Sequence, residues 1–114
     1  LVLTNAKLIF DGKCCYGLLD YDTWTGYIDD KKKMDGIIDN LRNIDGVEIA
    51  LFMYETAKDE HKVSLRSINA NVSSIATALG GGGHMRAAGA TVYGKADELL
   101  ENTILPMIKK ELNG

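Results

Sequence analysis

The alternation of apolar and polar positions divides the chain into short elements. Residues 7–10 and 14–19 read as two strands around the turn pair Asp11-Gly12. Residues 21–27 are polar and aromatic, hold the single tryptophan, Trp24, and read as a connection. Asp29 and Asp30 then offer an N-cap and first-turn negative charge. They precede a helical face of Met34, Ile37, Ile38, Leu41 and Ile44, spaced by threes and fours. Gly36 weakens that helix slightly, and Asp45-Gly46 stops it. Residues 47–54 are nearly all apolar from Ile49 onward, which suits a strand covered on both faces. A polar turn follows over residues 56–60.

Residues 61–68 alternate with period two. His61, Val63, Leu65 and Ser67 share one face, and Lys62, Ser64, Arg66 and Ile68 share the other. Asn69 or Asn71 caps the next helix, whose buried stripe is Val72, Ile75, Ala76 and Leu79. Residues 85–93 read as a returning strand. Residues 95–112 carry a helical stripe of Ala96, Leu99, Leu100, Ile104, Met107 and Ile108. Pro106 lies inside it, so a kink or break is expected just before, because proline removes a hydrogen bond and crowds the preceding turn. The order β-β-α-β-β-α, glycine loop, β-α predicts an α/β fold, a mixed β-sheet with helices packed on it, in a single domain. Strand order does not follow from the pattern.

The glycine loop is the run Gly80-Gly81-Gly82-Gly83, continued as His84-Met85-Arg86-Ala87-Ala88-Gly89. Without Cβ atoms such a backbone can take positive φ and approach a ligand closely, and successive N–H groups can form an anion-binding concavity. Glycine runs also serve as joints and helix stops, and Gly80 falls where a helix-ending glycine belongs. The cations and small residues that follow favour a polyanion site, with phosphate as the expected ligand. Arg66 and Arg86 supply planar forks of donors that match phosphate. The alternation sets Ser64 beside Arg66, and the helix from Asn71 to Leu79 links that strand to the glycines, so both can flank one cleft. The candidate binding residues are Ser64, Arg66, Ser67, Gly81, Gly82, Gly83, His84 and Arg86. His61, at a strand start, has no comparable context and reads as structural.

Composition narrows the chemistry. At 114 residues, 46% hydrophobic and 25% charged, the chain is one ordinary globular domain. A net charge of -3 argues against wholesale adhesion to nucleic acid, so polyanion binding rests on a local basic patch. No run of about 18 apolar residues predicts a membrane span, and the start does not read as a signal peptide. The expectation is no membrane contact and a cytoplasmic location. Cys14 and Cys15 are adjacent, point to opposite faces of an extended segment and are expected as reduced thiols. A two-metal phosphoesterase needs an Asp and His cluster. The acidic residues here lie away from histidines in sequence, or form too small a set in Asp59-Glu60-His61. No catalytic residue and no metal ligand is therefore assigned. Leu1 is not methionine, which suggests a piece processed or excised from a longer protein.

The segments Lys62 to Ser67, Asn71-Val72-Ser73, Ile75-Ala76 and Gly80 to Gly89, with Gly46 to Ala50 upstream, resemble the DHH-associated domain. This is the C-terminal domain of the DHH phosphoesterases. The resemblance spans residues 30–112 and is nearest the bacterial oligoribonucleases that also act on adenosine 3′,5′-bisphosphate. It implies that residues 1–114 are the substrate-binding part of a two-domain enzyme. The catalytic domain would lie upstream, with an Asp-His-His motif and two manganese ions, and this chain alone would be inactive. By that likeness Arg66, the glycine loop, His84 and Arg86 hold the phosphates and terminal nucleotide of a short single-stranded RNA or DNA or a nucleotide. A homodimer is a further expected partner. Two alternatives stay open: the substrate domain of a cyclic-dinucleotide phosphodiesterase, and a non-catalytic module for tRNA binding and oligomerisation as in alanyl-tRNA synthetases.

Overall fold

The computed structural model describes residues 6–27 and 31–114. Six strands form one mixed sheet in the order β1-β2-β3-β4-β6-β5. They are β1 (Lys7–Ile9), β2 (Cys14–Leu19), β3 (Ile49–Ala57), β4 (Glu60–Ser67), β5 (Gly82–His84) and β6 (Ala87–Tyr93). Only β2 and β3 pair in parallel; the other neighbours are antiparallel. That parallel step needs a crossover, supplied by α1 (Tyr21–Tyr27) and α2 (Lys31–Arg42). Helix α3 (Val72–Ala78) joins β4 to β5, and α4 (Ala96–Leu99) begins the C-terminal helix. The radius of gyration, 12.8 Å, is close to the ~13 Å of a single domain this long.

Both faces of the sheet carry helices, so the structure has three layers. On one face α2 sets Met34, Ile38 and Leu41 against Cys15, Leu19, Ala50 and Phe52. On the other, α3 and the C-terminal helix set Val72, Ile75, Leu100, Ile104 and Ile108 against Cys14, Leu51, Met53, Val63 and Leu65. Adjacent Cys14 and Cys15 thus enter different cores, as strand alternation predicts. Both are free and buried, and burial, helped by the neighbouring Cys15, pushes the Cys14 thiol up to about 12.

Several elements depart from the sequence reading. Residues 21–27 form helix α1, not a connection. Asp20 accepts from the Thr23 N–H at 2.7 Å, a cap at the helix start. The Trp24 indole N–H donates to the Glu55 carbonyl at 2.6 Å, tying α1 to β3. Thr, Trp and Tyr are weak helix formers, so tertiary contact, not propensity, holds this turn. Strand β3 runs on to Ala57 through an irregular register between Glu55 and Ala57, leaving a tighter turn with Asp59 at φ 54°. Asn71, rather than Asn69, caps α3 by accepting from Ser74 N–H at 3.2 Å. The proposed cap at Asp29 and Asp30 lies outside the described residues.

Near Pro106 the helix widens instead of breaking. Residues Leu100–Ile104 form a π turn, with the Leu105 N–H bonded to the Leu100 carbonyl, and α5 (Leu105–Asn113) follows with Pro106 in its first turn. The extra residue in the turn absorbs the proline's missing donor.

Candidate functional site

On the face that α2 covers, the helix lies over β2 and β3, borders β4 through Asp35 and Asp39, and leaves β6 and β5 open. Strand register places the residues of that open half in rows. Arg66 lies opposite Ala87, which lies opposite His84. Ser64 lies opposite Gly89, which lies opposite Gly82, and Lys62 lies opposite Thr91. Directly opposed residues point to the same face. Two cations, an imidazole, two hydroxyls and a strip of Ala and Gly therefore share one surface. Part of it forms a shallow cleft of about 280 Å³, lined by Lys62, Ser64, Arg66, Gly82, Gly83 and Gly89, with Asp35 of α2 at its side.

The glycine loop is mostly not a loop. Gly80 has φ 91° and its N–H meets the Thr77 carbonyl at 3.0 Å, while the Gly81 N–H meets the Ala76 carbonyl at 2.8 Å. This pair of hydrogen bonds, with a left-handed glycine, ends α3. Gly82, Gly83 and His84 then form β5, and Met85-Arg86 make the hairpin turn into β6. The reading of one strand from residue 85 is corrected to a hairpin. Neither Met85 nor Arg86 has positive φ, so the usual glycine or asparagine signal is missing. Long-range bonds hold the turn instead: Val72 N–H to the Met85 carbonyl at 2.8 Å and Ser67 N–H to the Arg86 carbonyl at 3.0 Å.

The missing side chains of the run have separate causes. A Cβ on Gly81 would sit 2.1 Å from the Gly89 carbonyl oxygen, and one on Gly83 2.6 Å from the Ala88 Cα. Both are excluded by hairpin packing. A Cβ on Gly82 would meet nothing within 4 Å. Gly82 is thus the glycine of the run whose side chain would enter the cleft without disturbing the fold.

Arg66 is part-buried. Its Nε lies 3.4 Å from Asp39 Oδ1 on α2, and Nη1 donates to the Leu65 carbonyl at 3.0 Å. Asp39 also faces Arg42 at 3.7 Å. Arg66 is therefore held in place by an α2 carboxylate, at the cost of partial neutralisation. The Asp39 end of this pair is half in solvent, which weakens it by screening, so an anion with a full double charge can compete for the guanidinium.

The eight sequence candidates separate into three groups. Ser64, Arg66, Gly82 and Gly83 meet in the cleft. His84 is exposed and lies in Arg66's row, two strands away, or about 10 Å at ~4.8 Å per strand. Arg86 is exposed at the hairpin turn beside it. Ser67 and Gly81 stand apart: Ser67 is buried on the opposite face and donates to the Ala70 carbonyl at 2.5 Å, and Gly81 lies beside β6, where a Cβ would strike the Gly89 carbonyl. The sequence reading missed Lys62, although the alternation that paired Ser64 with Arg66 also included it. Asp35 and Asp39 carried no signal, since only packing of α2 brings them here.

A larger cavity, about 500 Å³, opens elsewhere between Leu18, Asp20, Met53, Glu55, His61 and Lys95. Its acidic groups outnumber its cations, which disfavours phosphate. Asp20 and Glu55 already serve α1, with Glu55 accepting from the Tyr21 N–H at 3.0 Å. His61 is buried, and its Nε2–H donates to the Gly94 carbonyl at 2.9 Å, a structural role. Among the described residues no group of three or more His, Cys, Asp or Glu side chains is placed to hold a metal ion. Manganese does not fit these residues. No helix among them is long and apolar enough to cross a membrane.

Residues 12–110 match the DHHA1 domain family. The chain belongs to that family. A 57-residue stretch is 42% identical to the bifunctional oligoribonuclease and PAP phosphatase NrnA of Mycoplasma pneumoniae, covering 50% of this chain and 18% of that protein. The chain thus spans about a fifth of the curated relatives it matches. The fold is similar to an exopolyphosphatase-related protein from Bacteroides fragilis, with TM-score 0.78, 24% identity, and 98% of this chain and 32% of that one covered. It is also similar to the C-Ala domain of Aquifex aeolicus alanyl-tRNA synthetase, with TM-score 0.67, 15% identity, and 96% and 98% covered.

Proposed function

We propose that this DHHA1 domain is the substrate-binding half of a phosphoesterase that acts on short oligonucleotides or nucleoside bisphosphates. The observation that carries the reading is the convergence of Lys62, Ser64 and Arg66 on a strip made bare by Gly82 and Gly89. A phosphate on this strip meets the Arg66 fork, the Lys62 ammonium and the Ser64 hydroxyl. His84, in the same row, is the donor for a second phosphate. The likeness to an oligoribonuclease and PAP phosphatase supports the choice of substrate class. Catalysis belongs in this reading to a preceding domain that holds the Asp-His-His motif and manganese, in a cytoplasmic protein. The role of this chain is to bind and orient.

Calorimetric titration of the chain with adenosine 3′,5′-bisphosphate, a diribonucleotide, a cyclic dinucleotide and tRNA tests the reading. The first two are expected to bind, and Arg66→Ala is expected to weaken them about tenfold to hundredfold, because a charge-assisted hydrogen bond contributes ~1.5–3 kcal/mol. Arg66→Lys is expected to restore part of the loss. Preference for the cyclic dinucleotide or for tRNA selects another ligand. Unchanged affinity in Arg66→Ala removes the cleft from the site. With manganese and a dinucleotide the chain alone should show no turnover.

A further inference from the structure

The open sheet face continues past the cleft, and its far end has a different character. Along β6, Ala88, Ala90 and Val92 are buried, whereas Ala87, Gly89, Thr91 and Tyr93 alternate with them on the cleft's face. Tyr93 is 69% exposed, among the most exposed large side chains of the described residues, and its ring meets no other aromatic ring there. Its cross-strand partner is Glu60, whose carboxylate accepts from the Thr56 hydroxyl at 2.8 Å. Lys62, opposite Thr91, lies between this end and the Ser64 row. One end of the track is therefore cationic and bare, and the other is aromatic and acidic. Phosphate suits the first. A neutral flat ring suits the second, where Glu60 disfavours another anion.

We infer that Tyr93 is a stacking platform for a nucleobase of an oligonucleotide whose phosphate lies at Arg66 and Gly82, so that the open face discriminates substrate length. The inference rests on the phosphate site proposed above. The distance is set by the strand. From Gly89 to Tyr93 is four residues, or about 13 Å at ~3.3 Å per residue. At ~3.4 Å per stacked nucleotide this is about four nucleotides, and fewer when the strand is extended. A stacked dinucleotide spans about 7 Å, roughly half the distance, and stops short of Tyr93, whereas a stacked tetranucleotide reaches it. Stacking on an exposed aromatic side chain is tolerant of base identity, so length rather than sequence is read.

The test is an affinity ladder of RNAs from two to five nucleotides on the wild-type chain, Tyr93→Ala and Tyr93→Phe. Wild type should bind the tetranucleotide more tightly than the dinucleotide. Tyr93→Ala should weaken the tetranucleotide about tenfold to hundredfold and leave the dinucleotide unchanged. Tyr93→Phe should keep the wild-type step. An abasic residue at the distal nucleotide should reproduce the loss in wild type and add nothing in Tyr93→Ala, a readout that a structural role for Tyr93 does not move. Equal tetranucleotide affinity in wild type and Tyr93→Ala overturns the inference, as does an equal loss at both lengths. If the dinucleotide binds but no length step appears, only the role of Tyr93 fails. If the wild-type chain binds no dinucleotide, the phosphate site fails and this inference falls with it.

Discussion

On the sheet face that α2 packs against, β2 and β3 present Cys15, Leu19, Ala50 and Phe52, whereas β4, β6 and β5 present Lys62, Ser64, Arg66, Gly89 and Gly82. The backbone pairing is continuous across the two halves, with Phe52 directly opposite Ser64 and Ala50 opposite Arg66. What thins across the β3/β4 boundary is cover, since α2 lies over β3 and only borders β4. Beneath the helix, side chains are large and apolar because they lose water on folding. Beyond it, they are cationic, hydroxylic or absent, a pattern that leaves the surface flat and attractive to anions. Asp39 marks the seam, reaching from the covering helix to Arg66.

The largest effect expected from this contrast is on the covered side. Phe52 is fully buried, so Phe52→Ala should cost about 3–5 kcal/mol in urea unfolding. A loss well below that range would mean that α2 settles into the space and that its cover is loose.

The glycines sharpen the comparison within the open half. Gly81→Ala puts a methyl against the Gly89 carbonyl and should destabilise the fold by about 1–3 kcal/mol. Gly82→Ala places the same methyl in open cleft space and should leave stability unchanged or raise it by about 0.4–1 kcal/mol, while weakening phosphate binding. Thermal melts and titrations on both variants separate packing from binding. Intact binding in Gly82→Ala would mean that phosphate does not approach that backbone.

The smallest effect concerns pH and the loop that delivers α3. Burial pushes the Glu48 carboxyl up, but donation from the Asn69, Ala70 and Ile68 N–H groups outweighs it and holds the group below its ordinary value. Its Oε2 accepts from Asn69 at 2.7 Å and Ala70 at 2.9 Å. A lowered carboxyl pKa stabilises the folded state fully above the unfolded value of ~4.3, and the contribution disappears as pH falls through the lower folded value. Glu48→Gln should therefore make stability less dependent on pH below ~4.3. An unchanged acid limb in the variant would show that the loop is held without that charge.

Legibility differed among elements for physical reasons. The period-two pattern of β4 was readable because one face is a core and the other is not, and it placed Arg66 and Ser64 together in advance. Helix α2 was readable from Met34, Ile38 and Leu41 for the same reason. Helix α1 was not, since its residues are poor helix formers and its order comes from Trp24 bonding to β3. The β5–β6 hairpin was not, since Met85-Arg86 carries no turn signal and is held by Val72 and Ser67. Ser67 entered the candidate set by its chemistry although the alternation already put it on the opposite face, where the structure buries it.

The sequence alone determined the α/β class, the faces of β4, the helix stop at Gly80 and the family resemblance, because local periodicity and the conformational needs of glycine are properties of neighbouring residues. Tertiary structure decided which glycine opens onto the cleft, that Lys62 joins it, that Asp35 and Asp39 border it, and that Tyr93 shares its face across β6. Those relations depend on strand order and on where α2 ends. Both are set by pairing and packing between residues far apart in the chain, and no local pattern encodes them.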